Sequence, residues 1–278
     1  MLAEVVAALV CPVCRADLVA EPATLRCPTG HSFDVARQGY VNLLAALGRP
    51  PLNADDASAV AARVDFLTAG HFVPVVGELA AMAAACWPAG LIVDAGSGPG
   101  HYLGAALDAV PGAVGLALDS SVAALRRAAR VHQRAAAIGW DVTERWPVRD
   151  GAAGVVLNVF APRNAAEYAR VLRRDGRLLV VVPGPGHLGE LVDRLGLIGV
   201  DAAKPARLAA TLDPFFELVG EKAVGYHVDL TRDQVRAAVA MGPNAWHLSA
   251  DVLAERVAGL PELTRVGVDA VLKCYRPR

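Results

Sequence analysis

The chain has 278 residues, with 27 basic against 28 acidic side chains and a formal net charge of −1, and it can bury a sizeable core. That balance, with a sequence pI near 6.7, excludes a uniformly basic nucleic-acid binder and leaves RNA binding to a local patch. The hydrophobic share is 54%, much of it alanine. The longest apolar stretch, Leu79 to Val93, is broken at Trp87-Pro88-Ala89-Gly90 and is too short for a bilayer span. Met1-Leu2-Ala3-Glu4 lacks the basic start of a signal peptide, so a cytoplasmic protein with no membrane partner is expected.

The first 45 residues are turn-rich and carry three of the five cysteines. Cys11, Cys14, Cys27 and His31 follow the pattern C-x2-C-x12-C-x3-H. Each close pair fits a tight turn, and the intervening residues suffice for a hairpin that brings both pairs to one tetrahedral zinc ion. Four ligands with no open position describe a closed structural site, without which so small a module would scarcely fold. A deaminase zinc is disfavoured because the H-x-E companion is missing. Cys86 and Cys274 lie in apolar surroundings and read as core residues. Gly48-Arg49-Pro50-Pro51-Leu52-Asn53 is the best linker candidate. Asn53 to Trp87 reads as helical, capped by Asp55 or Asp56 and kinked or broken at Pro74.

From Leu91 onward short apolar runs alternate with amphipathic segments. Leu91-Ile92-Val93, Val114 to Leu118, Ala135 to Trp140, Gly154 to Val159 and Leu178 to Val182 read as buried parallel strands. His101 to Ala109, Ser121 to His132 and Ala165 to Arg173 read as the helices between them. This is the pattern of a doubly wound, Rossmann-like α/β sheet. Helices near 187–195, 204–212, 231–241 and 249–259 follow, with strands at Val224 to Leu230 and Val266 to Tyr275. The expected organisation is a zinc module over 1–45, a helical linker region over 46–88 and the α/β domain over 89–278.

Asp94-Ala95-Gly96-Ser97-Gly98-Pro99-Gly100-His101 directly follows the first strand and opens a helix. Its glycines allow a sharp turn and a close approach of ligand to backbone. Asp119 ends the second strand, where a carboxylate can bind both hydroxyls of a ribose. Asp141 ends the third, where an adenine amine would lie. A dinucleotide would use the same fold and the same ribose acid. The acid two residues before the first glycine and the G-x-G-x-G spacing favour S-adenosylmethionine; a purely structural loop stays open.

After the fourth strand, Asn158-Val159-Phe160-Ala161-Pro162-Arg163-Asn164 falls in the carboxyl-end crevice, where a substrate meets the cofactor. Asn158, Phe160 and Pro162 could hold a flat base there, or the segment is a turn capped by Asn164. Pro183-Gly184-Pro185-Gly186-His187-Leu188 after the fifth strand is a second rigid loop. Two arginine runs, Arg126, Arg127, Arg130, Arg134 and Arg170, Arg173, Arg174, Arg177, read first as solvated helix faces.

Together these residues resemble the bacterial 23S ribosomal RNA guanine-N1 methyltransferase family, the RlmA-like enzymes. The most specific part is the zinc module running into His31-Ser32-Phe33-Asp34-Val35-Ala36-Arg37-Gln38-Gly39-Tyr40-Val41-Asn42-Leu43-Leu44. Ala69-Gly70-His71-Phe72, the Asp94 loop, Phe160-Ala161-Pro162 and the His187 loop add to it. Asn158 to Asn164 and Met241-Gly242-Pro243 with Trp246-His247 are most similar to the tylosin-resistance branch. The resemblance implies methyl transfer to N1 of a guanine in a 23S rRNA hairpin loop in the macrolide-binding region, zinc on the four ligands, and a homodimer. It also implies cofactor contacts from Phe72, Gly98, Pro99 and His187. Phe72 replaces a tyrosine found in some members, which leaves stacking but no hydroxyl, and the linker is poor in basic residues. No residue is assigned as general base. A small-molecule methyltransferase and a non-catalytic zinc-ribbon RNA-binding factor are the alternatives; intact Asp94, Gly96, Gly98, Gly100 and Asp119 argue against the second.

Overall fold

A computed structural model describes residues 2–48, 54–86, 90–242 and 248–278. Arg49 to Asn53 of the expected linker, Trp87-Pro88-Ala89, and the Pro243 to His247 stretch of the resemblance lie outside them. The N-terminal part contains α1 (Ala3–Ala8), β1 (Val19–Ala20), β2 (Thr24–Arg26), β3 (Ser32–Asp34) and β4 (Val41–Asn42). Two helices follow, α2 (Ala57–Thr68) and α3 (Val73–Ala85). The alternating region gives β5 (Leu91–Ala95), α4 (His101–Ala109), β6 (Val114–Asp119), α5 (Val122–Ala128), β7 (Ala135–Gly139), β8 (Ala153–Val159), α6 (Ala165–Val171) and β9 (Leu172–Pro183). The chain continues through α7 (Gly189–Leu195), α8 (Lys204–Leu212), β10 (Phe216–Thr231), α9 (Arg232–Ala240) and α10 (Ala250–Ala258) to β11 (Leu263–Pro277).

Eight strands form the main sheet in the order β10-β11-β9-β8-β5-β6-β7-β4. The pairs from β9 through to β4 are parallel, and every residue of β5, β7 and β8 is buried, which explains their continuous apolar sequences. β11 and β10 extend the sheet antiparallel. β10 begins well before the expected Val224. Its first half, with Glu217, Glu221 and Lys222, lies on the sheet edge and is mostly exposed, so no apolar run marks it. The helical stretch after the linker breaks at Gly70, not at Pro74. Gly70 adopts φ +84°, α2 and α3 meet at 85°, and Pro74 sits in the first turn of α3, where a missing N–H costs nothing. Asp56 caps α2 by accepting from the Ala59 N–H at 2.8 Å. Among the described residues no single helix is long and apolar enough to cross a membrane.

One core lies on each face of the sheet. Ile92, Ala117, Leu157 and Val181 point to the face covered by α3, α4, α5 and α9. Val93, Leu118, Ile138, Val156 and Val180 point to the other face, and there they share a core with Val5, Leu9, Leu25, Phe33, Val41 and Leu43 of the N-terminal part. β4 is the edge strand beyond β7, Leu9 bridges to Val148, and the Arg15 guanidinium donates to the Trp146 carbonyl at 2.9 Å. The packing is therefore continuous across residue 45.

Candidate cofactor crevice and metal centre

Asp94 stands one residue before the end of β5, and its side chain is 1% exposed. Neither carboxylate oxygen has a hydrogen-bond partner among the described residues. Burial first, and the Asp119 charge second, push its carboxyl up to about 8. An orphaned buried acid is costly in the ligand-free protein and is explained by a ligand that supplies the partner. The loop beside it needs glycine. Gly96 has φ +76°, and a Cβ there would lie 2.6 Å from the Ala161 Cβ, so the loop passes directly beneath the segment after β8. Gly98 has φ +52°, and its N–H donates to Asp119 Oδ2 at 2.8 Å.

Asp119 ends β6 and also accepts from the Ser121 N–H through Oδ1 at 2.8 Å. It thus shapes the loop while each oxygen keeps a lone pair for a ribose hydroxyl. Gly100 precedes α4, His101 opens it, and Pro99 lies between the glycines. Asp141 follows Trp140, and its Oδ1 accepts from the Thr143 N–H at 2.9 Å and hydroxyl at 2.7 Å. Asp94, the glycine loop, Asp119 and Asp141 thus come from the carboxyl ends of adjacent strands.

An aromatic cluster closes the crevice. The rings of Phe72, Phe160 and His187 lie 5.9–6.0 Å apart pairwise, with Phe160 and His187 stacked at 28°. Phe160 has the left-handed φ of +52° and is 37% exposed, a strained geometry of the kind that clusters at ligand sites. His187 Nδ1 accepts from the Asp269 N–H at 3.3 Å, which puts a neutral ring's proton on Nε2. Burial lowers its pKa and favours that neutral form.

Asn158, Phe160 and Pro162 are expected together on the substrate side, and the structure divides their tasks. The Asn158 side chain is fully buried and, by strand alternation, lies on the face of Val156 and away from Leu157 and Val159. Its Nδ2 donates to the Pro162 carbonyl at 2.9 Å, which also accepts from the Tyr168 hydroxyl at 3.2 Å. Asn158 and the Pro162 carbonyl brace the loop, while the side chains of Phe160 and Pro162 are exposed.

Three residues near the crevice carry no sequence signal. Asp269 on β11 accepts from the Gly186 N–H at 2.9 Å and fills the space a Cβ at Gly184 would need, fixing the His187 loop. Arg63 on α2 pairs with Asp55 at 2.5 Å and lies against Gly98. Tyr102 on α4 packs 6.4 Å from Phe160. Asp269 and Arg63 are brought in by distant elements, which a local pattern cannot reveal, whereas Tyr102 directly follows His101 on α4.

At the other end of the chain, the ligand atoms of Cys11, Cys14, Cys27 and His31 lie within 4.8 Å of one another. The Cys14 and Cys27 sulfurs are 3.7 Å apart, and His31 Nδ1 is 3.6 Å from Cys11 Sγ and 3.3 Å from Cys27 Sγ. A tetrahedron with ligands about 2.1–2.3 Å from zinc has edges of roughly 3.5–3.8 Å, so the donor set fits the ion. Arg15 at φ 63° and Gly30 at φ 92° form the turns that aim each pair inward.

The sheet order, the glycine loop and the acids at its strand ends define a Rossmann-like S-adenosylmethionine-dependent methyltransferase with a zinc ribbon. Two solved structures share its fold at a TM-score of 0.50. One is a Bacillus halodurans protein assigned as a methyltransferase, 15% identical and covering 72% of this chain and 97% of that one. The other is an Anaeromyxobacter dehalogenans protein assigned as a type II methyltransferase, 19% identical and covering 72% and 95%. Residues 9–47 match the zinc-ribbon family described as RlmA, N-terminal. Over 286 residues the chain is 50% identical to a Micromonospora griseorubida protein assigned as a 23S rRNA (guanine-N(1)-)-methyltransferase, covering 96% of each. Over 281 residues it is 47% identical to the 23S rRNA (guanine(748)-N(1))-methyltransferase of Streptomyces fradiae, covering 100% of this chain and 99% of that one. The chain belongs to the 23S rRNA (guanine-N1) methyltransferase family.

Proposed function

We propose that the protein transfers the methyl group of S-adenosylmethionine to N1 of a guanine in a 23S rRNA hairpin loop. The observation that carries this reading is the 47% identity to the Streptomyces fradiae enzyme over the whole of both chains. The reading includes a homodimer and a modification in the macrolide-binding region, both supported by the family resemblance alone. It also includes a place in the cytoplasm, in keeping with the rRNA substrate of the Streptomyces fradiae relative; no single helix among the described residues is long and apolar enough to cross a membrane.

When bound, the cofactor supplies an electrophilic methyl on a sulfonium. Asp94, whose carboxyl has no hydrogen-bond partner among the described residues, binds the ammonium at the amino-acid end. Gly96, Gly98, Pro99 and Gly100 give the backbone cradle, and His101 opens the helix behind it. Asp119 takes the ribose hydroxyls and Asp141 the adenine amine. Phe72 and His187 pack along the cofactor, while Phe160 offers its exposed ring to the base, with the loop held by Asn158 and Pro162. Guanine N1 lies on the Watson–Crick edge, so the base enters unpaired. Positioning provides most of the catalysis, and water takes the N1 proton after transfer. Cys11, Cys14, Cys27 and His31 hold a structural zinc, since four protein ligands leave no open position.

The test is mass mapping of nucleotides in 23S rRNA incubated with the purified protein and S-adenosylmethionine. One guanine carrying a single added methyl at N1 is expected. Methyl label on small amines and none on RNA would replace this reading with a small-molecule methyltransferase, and no cofactor binding in calorimetry would leave a non-catalytic RNA-binding factor.

A further inference from the structure

The structure sorts the two arginine runs by what their guanidinium groups do. Arg134 is spent on the fold: it donates to the carbonyls of Leu107, Val110 and Ala113 at the end of α4. In the second run, Arg170 is held by Glu167, Asp150 and two carbonyls. Arg173 pairs with Asp175, and Arg177 donates to the Asp175 and Gly176 carbonyls. Arg126, Arg127 and Arg130 differ. All three are exposed, and none of their guanidinium groups has a hydrogen bond or ion pair among the described residues, which is also true of Arg174 on β9.

The zinc ribbon brings a fourth such residue to them. Residues 36–40 form a tight loop, with the Ala36 N–H donating to the Tyr40 carbonyl at 2.8 Å and the Gly39 N–H to the Ala36 carbonyl at 2.7 Å. A Cβ at Gly39 would lie 3.8 Å from the Ala129 Cβ, so the loop tip rests on the end of α5. Arg126 stands three positions before Ala129, one helical turn away on the same surface, and Arg130 follows Ala129 in the turn that closes α5, its N–H donating to the Arg127 carbonyl at 2.9 Å. Arg37, exposed and likewise without a partner among the described residues, is two residues from Gly39. Arg127 lines a cavity of about 200 Å³ with Pro99 and His101, so the basic surface reaches the glycine loop.

We infer that Arg37, Arg126, Arg127 and Arg130 form one surface across the seam of zinc ribbon and methyltransferase sheet that binds RNA backbone phosphates. The inference rests on the reading of the protein as an rRNA methyltransferase and names where the RNA lies. Four guanidinium groups without a partner among the described residues, in a chain of net charge −1, complement a polyanion, and arginine pairs with phosphate bidentately. Phosphate contacts position the RNA without reading its sequence, which leaves base selection to the crevice.

The test is the salt dependence of binding of a 23S rRNA fragment to the zinc-loaded full chain. Each phosphate contact adds roughly 0.7–0.9 to the slope of log affinity against log salt. Replacing Arg126, Arg127 and Arg130 with Ala should lower the slope by about 2 and raise the RNA KM about tenfold or more. kcat, cofactor affinity and the thermal midpoint should stay unchanged. Arg37→Ala should lower the slope by about 1 further, the triple Lys variant should keep most of it, and Arg174→Ala, on β9, should change nothing. A triple Ala variant that methylates RNA with the wild-type slope and KM overturns the inference. So does one that loses binding to assembled subunits alone, because the surface would then serve a protein. A wild-type chain that binds RNA with a steep slope and methylates none of it refutes the enzymatic reading and leaves the surface standing.

Discussion

Cofactor binding followed from about pH 6 upward should report the charge state of Asp94. Its carboxyl sits at about 8 in the ligand-free protein, so about 1% is ionised at pH 6 and about 9% at pH 7. A ligand whose ammonium requires the carboxylate should therefore bind about ninefold more tightly at pH 7 than at pH 6, or ~1.3 kcal/mol. Binding near pH 7 should release close to one proton, visible in calorimetry as a heat that changes with the ionisation enthalpy of the buffer. Stability should move the opposite way. The folded pKa is raised above the unfolded value of about 3.9, so the protonated acid favours the native state below that value, and the contribution is lost as pH rises through about 8. Asp94→Asn is neutral at every pH. It should raise the thermal midpoint of the ligand-free chain near pH 8, remove the pH dependence of binding, and weaken S-adenosylmethionine by roughly 1.5–3 kcal/mol, the loss expected for a charged hydrogen bond. Wild-type affinity in that variant, or binding that is flat with pH in the parent, would show that Asp94 is not the ammonium partner.

If the exposed Phe160 ring packs on the base as proposed, Phe160→Ala should lower methyl transfer in single-turnover kinetics roughly ten- to a hundredfold with little change in cofactor affinity. Asn158→Ala should act through the fold, costing roughly 1–3 kcal/mol in thermal unfolding by freeing the Pro162 carbonyl; normal turnover in both variants would reduce the segment to a turn. Changing Cys11 and Cys27 to Ser should abolish zinc in elemental analysis and RNA binding in gel shifts. The methyltransferase region should still bind cofactor, but with a lowered thermal midpoint, since the ribbon and the sheet share one core.

The sequence made the parallel strands legible because β5, β7 and β8 are buried on both faces and read as unbroken apolar runs. Likewise the cluster of Cys11, Cys14, Cys27 and His31 comes from spacing within short turns. What escaped reading depends on partners far along the chain. Asp269 reaches the His187 loop across 83 residues of sequence, and Arg63 reaches the Met241 carbonyl across 178. Asn158 shows the same limit from within a motif. Its position in the crevice segment is visible in the sequence, but the strand alternation that turns its side chain away from Leu157 requires the register of β8.

The boundary near residue 45 has the largest consequence for function. β4 is two residues long, yet its seat against β7 is close: a Cβ at Gly139 would lie 2.5 Å from Asn42 Oδ1 and 3.0 Å from the Asn42 Cα. The same Asn42 oxygen accepts from the Ala45 N–H at 3.1 Å, so the end of the ribbon is locked at the point where it enters the sheet. Gly139 is followed by Trp140, whose N–H donates to the Asp119 carbonyl at 2.9 Å, and then by Asp141. The zinc ribbon thus leans on the strand end that presents Asp141 and that is hydrogen-bonded to the backbone of Asp119 on the neighbouring strand. Close-packed interiors transmit small displacements, so RNA engaged at Arg37 presses on an element that borders both the ribbon and the crevice. Binding of RNA and cofactor should therefore be coupled, and by linkage the factor by which RNA changes cofactor affinity must equal the factor by which cofactor changes RNA affinity. Measuring both affinities with and without the other ligand decides the point, and independent binding would mean that the β4 seam holds the ribbon in place without transmitting anything.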